Sequence, residues 1–330
     1  MANFRMARNM PHVIHVGPCD SPGGIRTVMR TLAEHPPEGW TASLLASHSS
    51  THIGMLRAAR QAARALRRLP DDASTLVHLH AASDWSLRRK LRLAAACNSP
   101  VFLHLHSGDT ARWFRASAKR ADRVRSAIQR HVDAVVVLDT AWKDVLEPII
   151  GPVEVVPNPV HPKHCFKPTA SEEEYVLVMG RDVSAKRREF AIKLIEILRE
   201  SRPEISLHLT GGAPAVGEGW TIHGWISEDE RMTLLRGSAM LLLPSAFEGQ
   251  PIAALEALAC GIPVLASDGL PALPSTVVRA KFGNLASFAS QAVELLEHPP
   301  NSTILAASVQ SHSAEVVAQH WLAVYARVFR

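Results

Sequence analysis

Apolar residues fall in short continuous runs, and between the runs they recur every three or four positions. In the first half the runs at 12–16, 75–80, 101–106, 134–138 and 153–156 read as strands. A parallel strand covered on both faces shows such an unbroken stretch rather than alternation. Helices are expected from near Ile25, Leu56, Asp84, Thr110 and Thr140. This alternation is the rhythm of a parallel sheet with helices on both faces. Pro157, Pro159 and Pro162 interrupt it as a linker. A second series follows, with strands expected at 175–179, 206–209, 240–243 and 263–266 and a short one at 220–222. Ser227 and Glu230 have the spacing of a capping box, and Gly237 closes the helix they start. The pattern predicts an α/β fold of two doubly wound domains, residues 1–160 and 161–313, whose ligands are expected in the cleft at the carboxyl ends of the strands.

The chain has 330 residues, 47% apolar and 20% charged, which fits a globular protein and excludes disorder. Cys19, Cys97, Cys165 and Cys260 are scattered, so neither a disulfide framework nor a thiolate metal site is expected, in keeping with a reducing cytoplasm. Arg5 and Arg8 precede an apolar stretch too short for a signal peptide, and no run has the length of a membrane span. Charge is uneven: residues 1–160 hold 21 Lys/Arg against 13 Asp/Glu, residues 161–330 hold 15 against 18. Arg57, Arg60, Arg64, Arg67 and Arg68 form one face of a basic amphipathic helix, with Leu56, Ala59, Ala63 and Leu66 on another. Arg88, Arg89, Lys90 and Arg92 follow, and 112–130 adds seven cations. Solvated helix faces explain any one cluster, but three together favour an anionic partner, for which an acidic membrane surface is suited. Nucleic acid is not expected, because no binding motif or aromatic platform accompanies the charge.

Chemistry concentrates at Glu248 and Glu256, the only charges in an apolar stretch that reads strand, loop, helix, strand. Pro251 suits the first helical position, and Gly261 and Pro263 stop the helix. That helix is apolar on nearly every side, so it belongs inside the domain, and Glu256 on it needs hydrogen-bond donors. A sugar diol is one source; an arginine partner for Glu256 with a solvated Glu248 is the other. Backbone groups of Gln250, Pro251 and Ile252 open the helix beside an anion. Arg181 and Lys186 follow the strand at 175–179, where two cations can clamp a diphosphate. Gly23 and Gly24 join the first strand to the first helix without a dinucleotide fingerprint, which leaves a backbone approach to a ligand or a plain tight turn. His78 with His80, and His104 with His106, share strand faces and could bind an ion, though hydrogen-bonded core histidines are the commoner case.

Phe247 to Asp268, with Glu-x7-Glu at its centre, resembles the signature of the GT-B retaining glycosyltransferases, in particular glycosyltransferase family four. Gly180 to Lys186 is similar to the family's Gly-Arg…Lys-Gly segment, with Arg187 in place of the glycine, and 101–108 to its sugar-contacting histidine segment. Gln250 stands where the family more often has an aromatic or small residue. The resemblance implies an acceptor-side first domain, a nucleotide-sugar-binding second domain, and a last helix, 314–330, packed back on the first. It implies that Glu256 holds the ribose, Glu248 and His106 face the transferred sugar, and Gly23 and Gly24 face the donor. Arg181 and Lys186 would stabilise the departing diphosphate in place of a metal, so no metal or cofactor is expected, and Asn158 takes the hinge position. The implied activity is retaining transfer of a sugar from a nucleotide-diphosphate donor to a hydroxyl acceptor. Residues 78–90 look like members that build bacterial surface polysaccharides, which points to a lipid-linked glycan acceptor at the inner membrane face. A nucleotide-sugar epimerase on the same architecture and a non-catalytic nucleotide-sugar-binding protein are the alternatives.

Overall fold

In a computed structural model the described residues are 10–49, 51–69, 74–164 and 173–327; Arg5, Arg8, Cys165 and residues 328–330 of the expected last helix lie outside them. Contacts divide the chain into two compact units, Met1–Pro159 with Ala314–Arg330, and Val160–Ser313.

The first unit is built on β1 (His12–Gly17), β2 (Thr41–Ala46), β3 (Thr75–Ala81), β4 (Val101–Leu105), β5 (Ala134–Val137) and β6 (Glu154–Val155). They pair in parallel in the order β2-β1-β3-β4-β5-β6. Between them run α1 (Gly24–Glu34), α2 (His52–Leu66), α3 (Trp85–Ala94), α4 (Thr110–Arg115), α5 (Ala118–His131) and α6 (Thr140–Ile150). Every residue of β4 is buried, as expected of a central parallel strand. The edge strand β2 was not expected: its half-exposed Thr-Ala-Ser-Leu-Leu-Ala carries no continuous apolar signal. Helix α2 begins before Leu56, because Thr51 caps it by accepting from the Gly54 N–H at 3.1 Å. Leu56 is a correction to the expected apolar face, since it lies exposed beside Ile53 while Ala62 and Leu66 are fully buried.

The second unit holds β7 (Tyr175–Val178), β8 (Ser206–Leu209), β9 (Gly211–Gly217), β10 (Trp220–Gly224), β11 (Met240–Leu243), β12 (Val264–Ser267) and β13 (Val278–Ala280). Their order is β13-β12-β11-β7-β8-β10-β9, parallel except for β9 against β10. Helices α7 (Arg188–Arg199), α8 (Glu228–Gly237), α9 (Ile252–Ala259), α10 (Leu285–Glu297) and α11 (Ser302–Ala307) accompany them. The core gathers Phe190, Leu194 and Leu198 of α7, Phe288 and Ala292 of α10, and the inward residues of β7, β8 and β11. Sequence pattern missed β9 and β13 for the same reason as β2: both are sheet edges. Pro214 in β9 is compatible only with such a place, where a missing N–H breaks no ladder. The capping box of Ser227 and Glu230 forms as expected.

After α11 the chain returns to the first unit as α12 (Ala314–Tyr325), which buries Trp321 and Tyr325 there. Val160 and Ser313, the ends of the second unit, sit side by side in a parallel bridge, with the Val160 N–H donating to His312 O at 2.7 Å.

Candidate functional site

In the second unit the strands present loops at their carboxyl ends, and the charged side chains gather on two of them. After β7 the chain passes Gly180, whose φ of 135° suits glycine, and Lys186 packs across it so closely that an added Cβ would lie 3.1 Å from Lys186 Cε. A single 3₁₀ turn, Ser184–Lys186, precedes Arg187, which adopts the left-handed conformation at φ 51° and ψ 50°. Glycine would adopt it without strain. Here the Arg187 guanidinium lies 4.8 Å from both the Phe190 and the Phe282 rings, which offsets the cost. Arg188, buried and unflagged by the sequence, ties the loop down by donating to Gly180 O at 2.9 Å and Thr210 O at 2.6 Å.

The loop between β11 and α9 brings Glu248 to this clamp. Lys186 Nζ donates to Glu248 Oε1 at 2.5 Å, and the Ala246 N–H donates to Ala185 O at 2.9 Å. Glu248 is therefore not a solvated loop carboxylate. Arg181 lies exposed on the same loop. Pro251 occupies the N-cap of α9 rather than its first helical position, and Gln250, Pro251 and Ile252 are all buried. Pro251 has no N–H, so the backbone donors there are those of Gln250 and Ile252.

Glu256 is 1% exposed, as the apolar helix predicts, and its partners are now visible. Arg231 of α8 grips it with a fork, Nη1 to Oε2 at 2.5 Å and Nη2 to Oε1 at 3.1 Å. The same guanidinium donates to Glu228 through Nε at 3.0 Å and Nη2 at 2.5 Å. His164 stands between the two carboxylates, Nε2 at 3.2 Å from Glu228 and Nδ1 at 3.2 Å from Glu256. Burial works against the charge of Arg231, but Glu256 and Glu228 outweigh it and raise its pKa. Burial likewise works against ionised Glu228, and the hydrogen bonds from His164 and Arg231 overcome it and lower its pKa. The arginine-partner reading of Glu256 thus holds. Arg231 was missed, although Leu235 one turn on marks its side of α8 as the inward one.

In the first unit Gly23 (φ 146°) and Gly24 form an exposed turn into α1, where nothing lies within 4 Å of an added Cβ at Gly23, so backbone angle alone calls for glycine. His106 follows β4, partly buried, and belongs to a layer of five imidazoles across β1, β3 and β4. His15 Nδ1 lies 3.0 Å from His80 Nε2, His80 Nδ1 lies 2.9 Å from His106 Nε2, and His78 Nε2 lies 3.2 Å from His104 Nδ1. The layer ends at the Tyr325 hydroxyl, 2.7 Å from His78 Nδ1, under Trp321 of α12. Burial first, and neighbouring positive groups second, lower His15 and His106 to about 3 and the other three well below the ordinary value, so all five are neutral near pH 7. The triads His15/His78/His80, His80/His104/His106 and His164/Glu228/Glu256 each place ligand atoms within 4.8 Å. Most of these nitrogens are engaged in the hydrogen bonds just described, while His104 Nε2 and His164 Nδ1 are buried without a hydrogen-bond partner among the described residues.

Lys90 corrects the expected surface cluster: it is buried at 1% exposure and donates to Ser47 Oγ at 2.7 Å. Burial, then the charge of Arg89, lowers it to about 7. Its position was readable, since Leu87, Lys90, Leu91 and Ala94 share the helical spacing of one inward face.

Solved structures share this architecture over nearly the whole chain. Sucrose-phosphate synthase from Thermosynechococcus elongatus superposes with a TM-score of 0.74 at 16% identity, covering 97% of this chain and 99% of that one. HepE from Anabaena, solved with UDP and glucose, gives 0.73 at 13% identity, with 96% and 100% covered. The lipopolysaccharide outer core galactosyltransferase WaaB gives 0.65 at 16%, with 96% and 99% covered. The fold is GT-B. Residues 162–298, which contain both glutamates and the cationic loop, match the family model of glycosyl transferases group 1. Glycogen synthase of Mycobacterium tuberculosis is 24% identical over 261 residues, 70% of this chain. The chain spans about 61% of the length of that relative.

Proposed function

We propose that the protein is a retaining, metal-independent glycosyltransferase that moves a sugar from a nucleotide-diphosphate sugar to a hydroxyl of a lipid-linked glycan in bacterial surface polysaccharide synthesis, working at the inner face of the plasma membrane. The observation that carries this reading is the Lys186–Glu248 pair, 2.5 Å long, on a loop that also exposes Arg181. Glu248 neutralises the lysine. An entering diphosphate offers Lys186 a stronger anion, and the exchange frees Glu248 to face the sugar. Two cations then stabilise the leaving diphosphate, a task that needs fixed positive charge in a site that excludes water. The donor C–O bond breaks, the acceptor oxygen bonds to the same face of the anomeric carbon, and its proton passes to the departing phosphate.

Glu256 is assigned to the ribose. A carboxylate offers about four acceptor positions, and the Arg231 fork engages two of them. Two ribose hydroxyls would use the remaining two. Gln250 and Ile252 would contribute backbone N–H groups beside Pro251, and Gly23 and Gly24 a backbone approach to the donor. His106, neutral at working pH, would contact the sugar by hydrogen bonding rather than charge. No cofactor is needed. Uridine is the first base to try, because HepE was solved with UDP. Acidic lipid would be met by Ile53, Leu56, Arg57, Arg60 and Arg64, which α2 exposes together.

UDP at 100 times its dissociation constant is expected to stabilise the wild type by about 2.7 kcal/mol in thermal denaturation. Lys186→Ala should lose most of that shift and Glu256→Gln a large part of it. Equal shifts in wild type and Lys186→Ala would sink the assignment of the clamp. Assays with nucleotide-sugars then separate the classes: a transferase requires an acceptor, an epimerase interconverts the donor alone, and a binding protein does neither.

A further inference from the structure

On the first unit a pocket of about 430 Å³ opens between α3, α4 and α5. Its floor is apolar, the buried Leu91 and Val124, and Trp113 and Ser117 stand at its side. Around it are Arg88, Arg92, Lys119, Arg120 and Arg123, and no carboxylate lines it. We infer that this pocket binds a phosphate ester, its phosphate held by Arg92, Lys119, Arg120 and Arg123 and its organic part resting on Trp113 and the apolar floor.

Three features of the pocket favour an anion in it. Arg88 and Arg92 on α3, and Lys119 and Arg123 on α5, are like charges one helical turn apart, each pair repelling itself. Lys119 and Arg120 sit in the first turn of α5, which has no acidic residue, so both oppose the helix dipole. Among the described residues no carboxylate lies within ion-pair distance of Arg92, Lys119, Arg120 or Arg123, whereas nearby cations are paired: Arg88 with Asp84, Arg112 with Asp109 and Arg125 with Asp122. A bound phosphate reverses the sign of all three effects.

The pocket is also organised in advance. Arg120 is fixed by donating from Nη1 to Trp113 O at 2.6 Å while its guanidinium lies 4.7 Å from the Trp113 ring. Arg88 lies 5.5 Å from the same ring and 5.3 Å from that of the exposed Trp85. Cations held over indoles lose less freedom when a ligand arrives. A single phosphate with an apolar or sugar substituent fits this small, one-tryptophan pocket. Its source is either the headgroup of an acidic phospholipid or a soluble phosphorylated molecule.

Calorimetry with inorganic pyrophosphate tests the site without any contribution from the proposed donor clamp if it is done on the Arg181→Ala/Lys186→Ala protein. Binding is expected there, and adding Arg92→Glu and Arg123→Glu should weaken it by about 10-fold or more for each arginine. Both arginines are exposed, so an unchanged melting temperature confirms that the variant folds. Trp113→Leu should weaken binding by a smaller factor. No binding in the Arg181→Ala/Lys186→Ala background, or binding that Arg92→Glu/Arg123→Glu leaves unchanged, overturns the inference. Sedimentation with phosphatidylcholine vesicles, with and without phosphatidylglycerol, identifies the source. Loss of vesicle binding in Arg92→Glu/Arg123→Glu assigns the pocket to a lipid headgroup; pyrophosphate binding without vesicle binding assigns it to a soluble phosphorylated molecule.

Discussion

Beneath α12 the first unit buries four imidazoles and half-buries a fifth, His106, all touching one another and uncharged near neutral pH. Beside α9 the second unit buries Glu256 and His164 and pairs Glu256 by charge with the half-buried Arg231, which also holds the partly exposed Glu228. Both are polar clusters in apolar surroundings, but the physics differs. The imidazoles avoid the cost of a buried charge by staying neutral, so they are vulnerable to any condition that charges them in the unfolded chain. The Arg231 cluster accepts that cost and offsets it with paired, hydrogen-bonded partners, so its weak point is the loss of one partner.

The largest expected consequence concerns acid. The folded pKa values of the five histidines lie below the ordinary 6.5. The unfolded chain therefore binds more protons than the folded one as pH falls from about 6.5 toward 3, and stability is lost across that window. At pH 5 the loss is about 2 kcal/mol for each histidine, or up to about 10 kcal/mol for five, comparable to the whole stability of an ordinary domain. Glu228 has a lowered pKa, so its contribution disappears only as pH falls below the usual carboxylate range. Hydrogen exchange at pH 5 should find first-unit strands deprotected while α8 and α9 stay protected. Uniform protection would show that the imidazole layer is not the acid-labile element.

Lys90 sharpens the contrast, because it is a buried cation in the unit that otherwise avoids buried charge. Its pKa is lowered to about 7, so below pH 7 the folded state carries the full penalty, and stability rises with pH between about 7 and the ordinary 10.5. Lys90→Met should stabilise the protein by about 4–5 kcal/mol at pH 6, an advantage that shrinks to nearly nothing by pH 11. Melting temperatures at the two pH values check it. For the other unit, Arg231→Met leaves Glu256 buried without its fork and should cost about 3–5 kcal/mol near neutral pH, seen in denaturant unfolding. A cost below about 1 kcal/mol would mean that the cluster behaves as a surface ion pair.

Legibility in the sequence followed burial. The central strands β3, β4, β7 and β11 were readable because two covered faces demand unbroken apolar runs, whereas β2, β9 and β13 were not because an edge imposes no such demand. The site divides the same way. Glu248, Glu256, Arg181 and Lys186 stood out against apolar or glycine-bearing surroundings, while Arg231 and Arg188 sit in charged helices where one more cation gives no contrast. Pairings such as Arg231 with Glu256 span 25 positions and depend on how strands order themselves in the sheet, which local spacing does not encode.

The return of the chain as α12 has a consequence for birth at the ribosome. Tyr325 and Trp321 close the imidazole layer, yet they are synthesised after every residue of Val160–Ser313. The unit that starts first therefore finishes last. His78 and His104, which pack against Trp321 and Tyr325, lack that cover while the second unit emerges and folds, and the usual order of domain completion during synthesis is reversed.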